Sequence, residues 1–325
     1  MRMKNSVSIL SLMLILTTGC VRDELALPGR QPGSAVVREL CLESGYENQL
    51  WFDIGTGSVM ASNDKTAWDL SFECGQDGWR VRLNGSRMMW AWDRGAVPMD
   101  QPTDTLGMGA ARKYDRPSGH ADSTAIGDWR NGDHVFIIDM GTDQQGASMG
   151  MRKLQVLSVD ASGYVVSTAQ LDGSDPAQYT VAKDPLRAHT MFKFGQGATV
   201  IEPVHRTWDI VLTRYTTQVY QPIYLPYYQV TGFLAGGGTR LARMENPDFN
   251  AVALSDTLQH AFSSDRDVIG YDWKTYSFIT NSYTVDPSIV YIINDAEGYF
   301  HKLRFLDYYN QVGDIGCPRF EVVTF

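Results

Sequence analysis

The chain has 325 residues, 43% hydrophobic and 20% charged, with 28 Lys and Arg against 37 Asp and Glu. That length is enough for two domains of roughly 100–200 residues each. The acidic balance repels phosphates and anionic lipid, and so excludes a nucleic-acid-binding surface.

The first elements in chain order are a leader and a tether. Arg2 and Lys4 precede an apolar run over residues 7–16, and Thr17, Thr18 and Gly19 stand directly before Cys20. This is the layout of a secretory signal, since the run falls well short of the roughly 20 residues that cross a bilayer. The small residues before Cys20 resemble the lipobox of bacterial lipoproteins, which implies that residues 1–19 are removed and Cys20 is acylated. Asp23 and Glu24 resemble the acidic tag that sends such lipoproteins to the outer face of the outer membrane. Residues 20–44 include the Pro-, Gly- and Ser-bearing stretch DELALPGRQPGSA and read as the lipid-anchored N-terminus and a flexible tether. No other stretch approaches eighteen apolar residues, so membrane contact is expected only through the lipid. Without Arg2 and Lys4, 26 basic residues face 37 acidic ones, a net charge of −11. Cys41, Cys74 and Cys317 then allow at most one internal disulfide in an oxidising compartment, and spacing does not say which two pair.

The rest of the chain is one pattern written twice. LWFDIGTGSVMASNDKTAWDL (50–70) lies over TMFKFGQGATVIEPVHRTWDI (190–210) at a constant offset of 140. Phe52 falls on Phe192, Gly55 on Gly195, Gly57 on Gly197, Trp68 on Trp208 and Asp69 on Asp209. At the same offset HADSTAIGDWR (120–130) answers HAFSSDRDVIGYDWK (260–274), with three or four residues inserted in the second copy. VFIID (135–139) answers VYIIN (290–294), and RKLQVL (152–157) answers HKLRFL (301–306). These blocks predict two homologous domains, 45–183 and 184–325. Short β-branched and aromatic runs, alternating stretches and frequent Gly and Pro predict a mainly β fold. Each unit is expected to be antiparallel with two packed sheets. In TAWDLSF and RTWDIVL the alternation assigns Trp68 and Trp208 to the core and Asp69 and Asp209 to a neighbouring turn; Trp129 and Trp273 have the same structural role.

The residues carry little catalytic signal. GASMG (146–150) matches G-x-S-x-G formally, but a strand-like MRKLQVLSV follows it where that motif needs a helix. There is no H-E-x-x-H, C-x-x-C, phosphate loop or G-x-G-x-x-G, hence no metal-cluster or nucleotide signature, and no enzymatic activity is expected. Imidazole and thioether ligands remain. His120 and His260 lie in the repeated loops; Met88, Met149 and Met151 in the first unit and Met244 in the second accompany them as candidate axial ligands of haem. Tyr220, Tyr224, Tyr227 and Tyr228 are candidate pocket aromatics. The same histidines also suit a purely architectural turn.

The closing stretch VYIINDAEGYFHKLRFLDYYNQVGDIGCPRFEV (290–322) resembles that of the HmuY-like surface lipoproteins. RTWDIVLTRY and TAWDLSF, each preceded by Phe-x-x-Gly-x-Gly, resemble the family's W-D-I-x-F signature, and RLNGS (82–86) resembles the stretch that follows it. The resemblance implies a lipid-anchored protein of the outer membrane, on the cell surface, that binds haem and passes it to a TonB-dependent outer-membrane receptor. It places two His or Met axial ligands in loops corresponding to 88–151 and 220–285. Where well-known members have one unit, this chain has two. A non-haem binding or assembly module on the same scaffold, an adhesin or a nutrient-uptake partner, is the alternative expectation.

Overall fold

The computed structural model describes residues 33–42, 45–221 and 223–325. The leader, Cys20 and the tether through residue 32 lie outside them. Among the described residues no helix is long and apolar enough to cross a membrane.

The strands in chain order are β1 (Val36–Glu39), β2 (Asn48–Asp53), β3 (Ser58–Asp64), β4 (Leu70–Glu73), β5 (Val81–Leu83), β6 (Trp90–Asp93), β7 (Val135–Asp139), β8 (Met151–Val159), β9 (Gly163–Ala169) and β10 (Ala177–Ala182). There follow β11 (His189–Lys193), β12 (Gly197–Thr199), β13 (Ile210–Val219), β14 (Leu225–Ala235), β15 (Arg240–Glu245), β16 (Lys274–Ser277), β17 (Ser282–Val285), β18 (Ile289–Asn294), β19 (Phe300–Tyr309) and β20 (Ile315–Thr324). The fold is mainly β and antiparallel, as the alternation predicts.

Four sheets form two sandwiches. In the first, β10-β9-β8-β7-β6 faces β12-β11-β4-β5; in the second, β1-β20-β19-β18-β15 faces β14-β13-β2-β3. The first core packs Leu70, Phe72, Phe136, Leu154, Tyr164 and Phe192. The second packs Phe52, Ile210, Phe233, Tyr291, Phe305 and Phe320, with Trp273 stacked on Phe305 at 3.8 Å. The inward residues are the apolar members of each alternation, and their removal from water drives the pairing of the sheets.

The sheets are assembled across the boundary between the repeats. β2 pairs with β13, Phe52 opposite Ile210, and β11 pairs with β4, Phe192 opposite Leu70. These contacts are equivalent under the 140-residue offset. The opening strands of each repeat thus complete the other repeat's sandwich. One sandwich is contiguous, β4 to β12, and is called central here; the terminal one joins β1–β3 to β13–β20. A disulfide between Cys41 and Cys317 ties its two chain ends together, leaving Cys74 as a buried free thiol.

A third apolar layer lies between the sandwiches, where the outer faces of the two four-stranded sheets meet. It contains Trp51, Trp68, Met191, Trp208, Val211, Tyr215 and Leu234. Trp51 meets Trp208 edge to face at 4.5 Å.

A candidate ligand site between the sandwiches

The repeated Trp-Asp pairs stand where the chain crosses from one sandwich to the other. Asp69 accepts a hydrogen bond from the Phe194 amide and Asp209 one from the Ile54 amide, each 2.8 Å long. Ile54 and Phe194 are themselves 140 residues apart, so each aspartate holds the hairpin donated by the other repeat. Asp69 is also paired with the buried guanidinium of Arg87. Asp209 has no such cation; it accepts from the Ala296 amide at 2.8 Å and the Thr239 hydroxyl at 3.3 Å. Burial pushes its carboxyl up to about 6.

Between these crossings lies a cavity of about 450 Å³. Trp51, Trp68, Trp208, Val211 and Leu234 supply apolar wall, and His189 and Met191 line it from β11. A strand puts residues two apart on one face, so His189 and Met191 point the same way. The His189 Nδ1 lies 2.9 Å from the Glu202 carboxylate, which is only 2% exposed and whose Oε1 finds no partner. The buried Tyr215 hydroxyl also lacks a partner, and burial holds its ionisation well above the ordinary range.

The mouth of the cavity is made by the approach to the first histidine phrase and by part of the second. Residues 115–119 of the first copy and Ser264 and Arg266 of the second line it. His120 Nε2 meets Asp265 at 2.8 Å, and the Arg266 amide donates to the Ser118 carbonyl at 2.9 Å. Asp265 and Arg266 belong to the insertion that distinguishes the second copy. The departure from the repeat therefore makes the contact between the repeats. Asp115 accepts from the Leu83 and Ala125 amides at 2.7 and 2.6 Å, and burial pushes its carboxyl up to about 6. Arg82 donates to the Gly119 carbonyl at 2.8 Å and Arg266 to the Ala235 carbonyl at 3.0 Å. Burial and the charge of Arg82 bring the Arg266 guanidinium down to about 10. Two guanidiniums thus stand at this end of the cavity, with the Asp115 and Glu202 carboxylates also facing Arg266.

The other expected ligands are scattered. Met88 ends the short turn at Gly85–Arg87 with φ of 58°, and Met149 Sδ lies 2.6 Å from Arg87 Nη2, so these two flank one arginine. Met151 packs with Trp92, Met108 and Ile137 on the outer face of the central sandwich. Met244 packs with Phe249, Val290 and Ile292 on the outer face of the terminal one. His260 is partly exposed just beyond the turn at Leu254–Leu258. Tyr220, Tyr224, Tyr227 and Tyr228 sit on the exposed β13–β14 hairpin, where Tyr227 meets Trp90 edge to face at 4.7 Å. None of these six His and Met candidates nor the four tyrosines lines the cavity.

Trp129 and Trp273 are buried and donate to the Trp79 and Gly270 carbonyls. Gly127 and Gly270 precede them at φ of 64° and 62°, the left-handed region that glycine enters without steric cost, which accounts for the repeated Ile-Gly. GASMG runs directly into β8, with no helix after the serine.

Among the residues that line the cavity but are not ligand candidates in the sequence are His189, Met191, Glu202, Arg82, Arg266 and Tyr215; all but His189 fall inside quoted motifs. A signal for two of them exists: the 140-residue offset sets Gln49 against His189 and Trp51 against Met191.

No curated protein matches the chain. Among solved structures, apo PinO from Porphyromonas gingivitis is 10% identical, with 90% of this chain and 98% of that chain covered and a TM-score of 0.28. The Tannerella forsythia apo HmuY analog TFO is 7% identical, with 91% and 98% covered and a TM-score of 0.34. A HmuY-like protein from Bacteroides vulgatus is 12% identical, with 48% and 82% covered and a TM-score of 0.23. The family described as HmuY protein matches residues 45–322. That one match runs without a break through both repeats, from the approach to β2 into β20, and by it the chain belongs to the HmuY family.

Proposed function

We propose that this chain is a non-catalytic, lipid-anchored surface protein that binds haem in the cavity between its sandwiches and presents it to an outer-membrane uptake receptor. Family membership supports the choice of ligand, as does the HmuY-like neighbour from Bacteroides vulgatus, which is described as heme binding. The observation that carries the site is the cavity itself. Its volume of about 450 Å³ is in the range of small-molecule sites, which run from roughly 300 to 1,000 Å³.

The donor chemistry fits the group. Tryptophan and aliphatic walls suit a flat apolar macrocycle, Arg82 and Arg266 suit its carboxylates, and His189 and Met191 are of the side-chain types that hold haem iron. When bound, haem supplies the iron; the chain's part is to enclose it and exclude water. Leader cleavage, acylation at Cys20 and display on the outer face rest on the sequence signals alone.

Titration of the mature chain carrying Cys20→Ser with haemin, followed in the visible spectrum, tests the reading. A saturable change at one equivalent is expected. No saturable change would favour the alternative, a surface assembly module. The exposed Tyr220, Ile223, Tyr224 and Tyr228 of one hairpin and Phe278 and Ile279 at the tip of β16–β17 favour that second reading.

A further inference from the structure

The pseudo-symmetry of the cavity separates residues that merely close it from residues that can act on a guest. In the first repeat, both ends of the Gln49 amide are engaged. Its Nε2 donates to the Thr213 hydroxyl at 2.9 Å, and its Oε1 accepts from Trp68 Nε1 at 2.7 Å and Asn63 Nδ2 at 2.9 Å. Trp51, two residues on, is tied by its Nε1 to Asn63 at 2.7 Å. This wall makes its hydrogen bonds inside the protein.

The equivalent positions of the second repeat are His189 and Met191, and the histidine keeps one ring nitrogen without a partner among the described residues. His189 Nδ1 faces the Glu202 carboxylate at 2.9 Å. A carboxylate only accepts, so the proton sits on Nδ1, and in the neutral ring the lone pair is on Nε2. Nε2 makes no hydrogen bond to any described residue. A carboxylate behind one ring nitrogen fixes the orientation of a histidine and raises the basicity of the other nitrogen, the arrangement common behind metal-bound imidazoles. The buried Glu202 Oε1 has no hydrogen-bond partner among the described residues, so one acceptor of this carboxylate is left open beside the histidine.

We infer that His189 is the residue through which this chain holds haem iron, with Glu202 as its positioning residue, and that His120 and His260 do not coordinate it. His120 is bonded through Nε2 to Asp265 at the mouth, and His260 lies away from the cavity lining. The inference rests on the haem reading above.

The test compares the mature chain with five variants by haemin titration and by electron paramagnetic resonance of the ferric complex. His189→Gln carries the residue that the first repeat uses at the same place, so the fold is expected to survive, as checked by circular dichroism and the unfolding midpoint. It should weaken haemin binding about 10- to 100-fold and remove the nitrogen-ligand signature. Glu202→Gln should keep one equivalent of haemin with a shifted spectrum and about tenfold weaker binding. His260→Ala should leave the spectrum unchanged, and His120→Ala, which loosens the contact with Asp265, should still keep the nitrogen-ligand signature. Free imidazole added to a His189→Gly variant should restore the lost signature. If the native chain takes up haemin and His189→Gln gives the same spectrum and affinity, the assignment of His189 is wrong and the haem reading stands. If the native chain takes up no haemin, the haem reading itself fails and this assignment with it.

Discussion

Asp209 ties together three separate segments of this architecture. Three donors converge on it, from the hairpin of the other repeat, from the turn after β18 and from Thr239. An Asn there must turn its amide toward one of the two backbone N–H groups, leaving a buried donor facing a donor. Asp209→Asn is therefore expected to cost about 1–3 kcal/mol in urea unfolding. Its carboxyl is raised by burial from 3.8 to about 6, so the folded state binds the proton more tightly than the unfolded state does. The native contribution is then greatest at low pH and declines as pH rises to about 6, and the variant's deficit should be larger at pH 5 than at pH 7.5. A second repeated residue works outward. Lys153 donates to the Pro98 and Met99 carbonyls at 3.4 and 3.2 Å, and its counterpart Lys302 to the Phe249 and Val252 carbonyls at 2.7 and 2.8 Å. Each buried ammonium pins a covering loop onto the outer face of its five-stranded sheet, and burial lowers the pKa of both. The repeated Lys-Leu phrase is thus a loop anchor.

At the scale of elements, the terminal sandwich depends on a seam that the central one lacks. β1 pairs with β20 from Val36 opposite Val322 to Glu39 opposite Arg319, and the Leu40 and Leu42 amides donate to the Pro318 and Gly316 carbonyls. Cys41–Cys317 crosses the same seam and closes a loop 276 residues long. Constraining so long a loop in the unfolded chain stabilises a fold by about 2–5 kcal/mol. The double variant Cys41→Ala with Cys317→Ala should lose stability of that order, read as a lower urea midpoint. In a chain with two cores the loss should appear in the transition of the terminal sandwich first, because the disulfide lies wholly within it. An unchanged midpoint would mean that the strand pairs alone hold the seam.

At the scale of the molecule, the cut that respects the sequence repeat and the cut that respects the cores are different. A fragment of residues 65–200 holds all of β4 to β12, together with the Lys65 and Trp68 carbonyls that accept from Asn84. It should unfold cooperatively in a calorimeter. A fragment of residues 45–183 keeps β2 and β3 without their partner β13 and lacks β11 and β12, so it should show no cooperative transition. The sequence by itself determined the mainly β class, the duplication and the structural weight of Trp68, Asp69, Trp208 and Asp209, because alternation, turn residues and a constant offset are properties of the chain read in order. Only the tertiary structure decided that the opening strands of each repeat cross over, since Phe52 meets Ile210 and Phe192 meets Leu70 at separations that local patterning does not encode. The cavity was invisible for the same reason. It exists between two outer sheet faces, and it brings His189, Glu202, Arg82 and Arg266 together from strands and loops that share no motif, while the repeated histidine phrase, legible at once, proved to supply the contact at its mouth.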